Sequence, residues 1–253
     1  MIQVTGLTRR YGDALAVAEV TFHVEAGQVL ALVGGSGAGK TTTLKMINRL
    51  VEPDAGHVVV EGRDAASLEP HALRRSIGYV FQGIGLFPHM TVAENVALPL
   101  RLAGWGRGRI DARVAELLVL VGLAPSLAGR FPAALSGGEQ QRVGVARALA
   151  PSPRVMLLDE PFGALDPLTR DRLQRSFDGL RRTLGLTAVF VTHDMAEALV
   201  LADRIGVMRG GRLVQVGTPA ELARSPADEG VAGLLDTPRR LAHLVASRLE
   251  GRS

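Results

Sequence analysis

The chain has no cysteine, a single tryptophan, two tyrosines and two lysines, Lys40 and Lys45. Without thiols there is neither a disulfide framework nor a thiolate metal site, and the six histidines are scattered rather than clustered as ligands. Most of the formal +4 charge is therefore arginine. The arginines are spread along the chain, in pairs such as Arg74-Arg75 and Arg181-Arg182, with acidic residues among them. That pattern describes solvated faces and argues against a nucleic-acid partner. Long apolar runs are missing too. Val29 to Val33 and Leu117 to Val121 fall far short of the about 20 residues that cross a bilayer, so a membrane role is expected to come through partners. Met1 leads straight into the strand-like Ile2 to Leu7 without the pattern of a signal peptide, and the expected setting is intracellular.

A chain of 253 residues can bury a sizeable core as one large domain or a domain with a subdomain. Alternating β-branched residues open it, and the short apolar strand Gln28 to Val33 runs into a glycine-rich segment and then a helix through Asn48. Pro53 to Gly56 reads as a turn, with strands at His57 to Glu61 and Ile77 to Phe81. From Thr91 to about Ala150 the period becomes helical, broken at Gly104-Trp105-Gly106 and Pro125, as in an inserted helical subdomain. Val155 to Leu158 and Thr187 to Val191 are buried strands around a helix of about 168–184, the pattern of a parallel α/β sheet. Thr218-Pro219-Ala220-Glu221 carries the N-cap, first-turn proline and capping-box glutamate of a closing helix.

The glycine-rich segment is Gly34-Gly35-Ser36-Gly37-Ala38-Gly39-Lys40-Thr41, followed by Thr42. It fits G-x-x-x-x-G-K-S/T after a strand and before a helix, the context that identifies a P-loop. Small residues let backbone N–H groups wrap phosphates, the helix N-terminus adds its positive end, Lys40 charges the outer phosphates and Thr41 offers a hydroxyl to Mg²⁺. ATP and Mg²⁺ are the expected ligands. A P-loop alone specifies only a nucleotide. The strand Val155 to Leu158 then delivers Asp159 and Glu160 at its C-terminal end, where ligands bind in open parallel sheets. Asp159 is expected to hold Mg²⁺ and Glu160 to act as base for the attacking water.

A further serine with two glycines opens the helix Glu139 to Ala150, making Ser136, Gly137 and Gly138 a second phosphate-binding N-terminus. Leu135-Ser136-Gly137-Gly138-Glu139-Gln140 resembles the signature motif of the ATP-binding-cassette (ABC) ATPases, and the likeness runs from about Tyr11 to Pro219. The resemblance implies an α/β P-loop core with an antiparallel β portion near the N-terminus and an inserted helical subdomain. It implies a nucleotide-binding domain over 1–220, the helical insert over about 88–150 and a short helical tail over 221–253. It further implies a head-to-tail dimer, or a pair with a second ATPase subunit, in which the signature of one closes on the ATP of the other. By the same resemblance Gln82 touches Mg²⁺ and the lytic water, Asp166 lies in the loop crossing the dimer, His193 is the switch histidine at the γ-phosphate and Tyr11 stacks on adenine.

ABC ATPases that act on DNA carry long coiled coils between P-loop and signature, and those that act on ribosomes usually carry two cassettes. This chain has neither feature. As a separate chain it is similar to importers. The stretches Lys45 to Pro53 and Gln82 to Val92 look like those of osmoprotectant importers, which take up glycine betaine, choline or related quaternary amines. Gly83 stands where a second glutamine is expected, and the sequence ends at Ser253 without paired regulatory domains. The resemblance thus implies permease subunits, an extracytoplasmic solute-binding protein and a peripheral place on the cytoplasmic face of the membrane. Ile84 to Val92, with Leu86, Phe87 and Met90, is the expected docking segment for a membrane subunit. The alternative is the same ATPase serving another polar solute, such as an amino acid.

Overall fold

The computed structural model describes residues 1–83, 85–163 and 165–250. Strands β1 (Ile2–Tyr11) and β2 (Ala14–Val24) form a hairpin, with Tyr11 opposite Ala14 next to its turn. Strand β3 (Val29–Val33) enters the interior and leads through the glycine-rich loop to helix α1 (Lys40–Ile47). Strands β4 (Ala55–Val60) and β5 (Arg63–Asp64) return to the hairpin as a four-stranded antiparallel sheet of order β2-β1-β4-β5. Helix α2 (Pro70–Ser76) and strand β6 (Ile77–Val80) follow.

Between Val80 and Val155 the described residues form no strand. This stretch carries helices α3 (Val92–Leu102), α4 (Arg107–Leu120) and α5 (Gly137–Leu149). Reciprocal capping boxes, Thr91 with Glu94 and Ser136 with Glu139, fix the starts of α3 and α5. Strand β7 (Val155–Asp159), helix α6 (Pro167–Leu184), strand β8 (Thr187–Thr192), helix α7 (Met195–Leu201) and strands β9 (Arg204–Arg209) and β10 (Arg212–Gly217) complete a six-stranded sheet. Its order is β10-β9-β3-β8-β7-β6, parallel except for β10. Helices α8 (Pro219–Arg224) and α9 (Glu229–Leu249) end the described chain. None of its helices is long and apolar enough to cross a membrane.

The central strands read as unbroken apolar runs because both of their faces are covered. Val29, Ala31 and Val33 of β3 point into a core shared with α3 to α7, while Leu30 and Leu32 point into a second core against α1 and the antiparallel sheet. Strands β7 and β8 divide in the same way, Met156 and Phe190 to the first core, Leu157 and Val189 to the second. Each buried side chain of this size contributes about 1.5–3 kcal/mol. This doubly packed sheet holds the C-terminal ends of β3, β7 and β8 side by side.

Candidate nucleotide site

Those three strand ends deliver the glycine-rich loop, the pair Asp159-Glu160 and His193. Gly39 caps α1 at φ +93°, and a Cβ there would stand 2.5 Å from the Ala16 carbonyl oxygen. Glycine at this position therefore lets the loop close tightly on β2 while starting a helix that no side chain caps. Lys40 is buried within the loop, its Nζ donating to the carbonyls of Gly34 at 2.7 Å and Gly35 at 2.9 Å. Burial pulls its ammonium below the ordinary lysine range, with Glu160 and Asp159 acting against the shift.

Thr41 Oγ1 donates to Asp159 Oδ1 at 2.8 Å. Burial pushes the Asp159 carboxyl up, opposed first by this bond and by Lys45. Glu160, one residue on, has a left-handed backbone at φ +45°, with its amide held by the Val191 carbonyl at 3.1 Å. A non-glycine residue in this region is strained, and such strain is characteristic of functional sites. The turn aims the carboxylate between two elements: Gln82 Nε2 donates to Oε2 at 3.2 Å, and His193 Nδ1 lies 3.5 Å from Oε1. A cavity of about 340 Å³ opens over this group, lined by Tyr11, Ala16, residues 36–42, Gln82 and Glu160.

The cavity therefore brings together Tyr11, Ser36, Gly37, Ala38, Gly39, Lys40, Thr41, Thr42, Gln82 and Glu160. Asp159 joins through Thr41, His193 through Glu160, and Gly34 and Gly35 through Lys40. A family described as ABC transporter matches residues 17–163. The chain belongs to that family. Among ABC relatives, the choline transport ATP-binding protein OpuBA of Bacillus subtilis (strain 168) is 49% identical over 94% of this chain. The sulfate/thiosulfate import ATP-binding protein CysA of Bordetella parapertussis is 47% identical over 95%. The chain spans 63% of the length of the first and 68% of the second. The dimeric post-hydrolysis structure of the ATP-binding cassette MJ0796 bound to ADP and Pi superposes with a TM-score of 0.78, at 32% identity, over 86% of this chain and 98% of that one.

The residues expected at the signature motif, and Asp166, stand apart from the cavity. Ser136 caps α5, its amide and hydroxyl both donating to Glu139 Oε2 at 2.8 Å. Gly138 packs against Thr169 at the start of α6, and Asp166 caps α6 by accepting from the Thr169 amide at 3.1 Å. Neither Ser136, Gly137, Gly138 nor Asp166 lines the cavity.

In the expected docking segment the Phe87 side chain is exposed. Leu86 is partly buried against the interior, and the backbone at Phe87 is held by buried Asn95, which accepts from the Phe87 amide at 2.8 Å and donates to the carbonyls of Phe87, Met90 and Thr91. Ile84 lies outside the described residues. An open apolar groove, about 230 Å³, lies between β6 and α3, where Tyr79, Phe81, Leu98, Pro99 and Leu102 are rimmed by Arg74, Arg75 and Arg147. Sequence reasoning missed Ala16, whose contribution is a backbone carbonyl, and Asn95. The one signal for Asn95 was its place directly after the capping-box Glu94.

Proposed function

We propose that the chain is the ATP-hydrolysing subunit of an ABC importer, working as a pair beneath membrane-spanning subunits on the cytoplasmic face. The observation that carries this reading is the Glu160 carboxylate held between Gln82 and His193 at the mouth of the loop cavity. Thr41, Asp159 and Gln82 offer a hydroxyl, a carboxylate and an amide oxygen, donors that would suit Mg²⁺. Held there, the ion would neutralise charge on the phosphates of the ATP substrate.

Lys40 turns its ammonium from the loop carbonyls to the β- and γ-phosphate oxygens, and Tyr11 stacks on the adenine. Gln82 orients a water in line with the γ-phosphorus. Glu160 takes that water's proton on its carboxylate as the new P–O bond forms and the bond to ADP breaks. His193 donates to the γ-phosphate. Ser136 and Asp166 lie outside the chain's own cavity, so a second copy presents them to the nucleotide. The dimeric cassette named above supports such pairing.

The groove beside Gln82 receives a short helix of the permease, so that nucleotide state and membrane facing change together. The cargo is a quaternary amine such as glycine betaine or choline, brought by an extracytoplasmic binding protein. Two osmoprotectant-like stretches and the choline-transport relative support this assignment. With one tryptophan and two tyrosines, Tyr11 among them engaged elsewhere, the chain supplies no aromatic cage of its own. The sulfate/thiosulfate relative, nearly as similar, supports the second reading of another polar solute.

Glu160→Gln tests the chemistry. It should bind ATP, form an ATP-stabilised dimer and stop turnover; hydrolysis near the wild-type rate removes Glu160 as the base. Uptake of labelled betaine, choline, sulfate and an amino acid by the chain reconstituted with its permease and binding protein tests the cargo.

A further inference from the structure

The loop preceding α6 and the loop after β8 are both anchored to one face of α6. Arg170, one turn into that helix, donates from Nη2 back to the Leu165 carbonyl at 3.2 Å, beside the capping Asp166. Its Nη1 lies 3.7 Å from Asp194 Oδ2. Its Nε is buried with no hydrogen-bond partner, so the guanidinium is oriented by these two loop contacts. Asp194 immediately follows His193 and caps α7, accepting from the amides of Ala196 at 2.8 Å and Glu197 at 3.3 Å. Its own amide donates to Thr192 Oγ1 at 3.0 Å, which brackets His193 on both sides. One turn further along α6, Gln174 Nε2 donates to Oε1 of buried Glu197 at 3.2 Å.

We infer that Arg170 is a positioning residue for hydrolysis: it fastens the Asp166 loop, which meets the second copy, to the segment that sets His193 against Glu160. The inference rests on the ATPase reading above. Arg170 touches neither nucleotide nor Glu160. Its effect is to fix the approach of His193, so pairing at the Asp166 loop and the state of the chain's own switch become one event. A planar guanidinium with donors in two directions suits this bridge. A lysine in its place keeps the charge toward Asp194 but cannot hold both contacts as a fixed fork.

The test uses the full chain with Arg170→Met, Arg170→Lys and, as reference, Glu160→Gln. Arg170→Met should lower kcat by about 10- to 100-fold, the scale of a misplaced catalytic group. KM for Mg-ATP should stay within about twofold of wild type, since the change leaves binding contacts alone. Unfolding temperature should match wild type, and Arg170→Lys should recover a measurable part of the lost kcat. The inference is overturned if Arg170→Met keeps more than half of wild-type kcat, or if the loss appears in KM. It is equally overturned if both variants lose activity in proportion to lost folded protein. An active wild type, an inactive Glu160→Gln and an active Arg170→Met reject the positioning role alone, whereas an inactive wild type rejects the ATPase reading with it.

Discussion

Replacing Gly138 by alanine is a sharp probe of how α5 is seated. An added Cβ would stand 2.3 Å from Thr169 Cγ2 and 3.7 Å from Thr169 Cβ, so the conflict is with one methyl group. That methyl belongs to a β-branched residue in the first turn of α6, where rotamer choice is narrow and the amide is tied to Asp166. Relief therefore means separating the starts of α5 and α6. Overpacking of this kind costs about 1–3 kcal/mol. Alanine in place of glycine within a helix returns about 0.5–1 kcal/mol. The middle of each range leaves a net loss of about 1 kcal/mol, or roughly 2–4 °C in unfolding temperature for a domain of this size. Thr169→Ser removes the offending methyl and should restore most of the loss in the double variant, with a coupling of about 1–2 kcal/mol. Urea and thermal unfolding of the four proteins measure this. A Gly138→Ala chain as stable as wild type, or one that Thr169→Ser fails to rescue, refutes the packing argument.

Asn95→Ala leaves the carbonyls of Phe87, Met90 and Thr91 without this donor, and should cost about 2–4 kcal/mol in urea unfolding. Leu102→Asp puts a charge on an exposed wall of the β6–α3 groove; ATPase of the isolated chain should stay within about twofold of wild type, while transport with the permease falls at least about tenfold if the groove loses its helix. Burial, with Asp194 adding to it and the bonds from Thr192 and Gln174 and the charge of Arg170 opposing, holds Glu197 above its ordinary 4.5, so the folded chain keeps a proton the unfolded chain loses and stability falls as pH rises from there. Glu197→Gln should therefore gain unfolding temperature relative to wild type at about pH 7 and lose that advantage near pH 4; a difference that does not change with pH contradicts the assignment.

Much of the nucleotide cavity was legible because its parts are local in sequence and sit at the ends of strands buried on both faces. Residues 34–41 follow the fully buried β3, and Asp159-Glu160 end the fully buried β7, so a motif and an apolar run reinforce each other. Capping boxes at Thr91, Ser136 and Thr218 mark helix starts for the same local reason. Contacts between elements leave no such mark. Strands β9 and β10 went unread because Arg204, Gly206, Arg212 and Gln215 interrupt their apolar pattern. Leu86, Phe87 and Met90 read as an exposed apolar loop; Phe87 is exposed, but composition cannot say how far the interior covers its neighbours. Leu86 is partly buried and Asn95 fastens the backbone at Phe87 and Met90, while the open groove is built from residues distant in sequence, on and after β6 and on α3.

The two helix N-termini that sequence reading treats alike differ once the fold is in place. At α1 no side chain caps the helix and the loop before it opens on the cavity, whereas at α5 the Ser136 hydroxyl is engaged with Glu139 outside that cavity. A phosphate at α5 has to compete with that carboxylate. Glu139 is held below the ordinary carboxyl range by its bonds from the Ser136 amide and hydroxyl, so it stays charged and keeps its hold on them at neutral pH. On the proposed pairing, the cost of breaking the reciprocal cap is met when a second copy brings a nucleotide to the exposed end of α5. Within this reading, assembly on ATP is a requirement of the geometry rather than an addition to it.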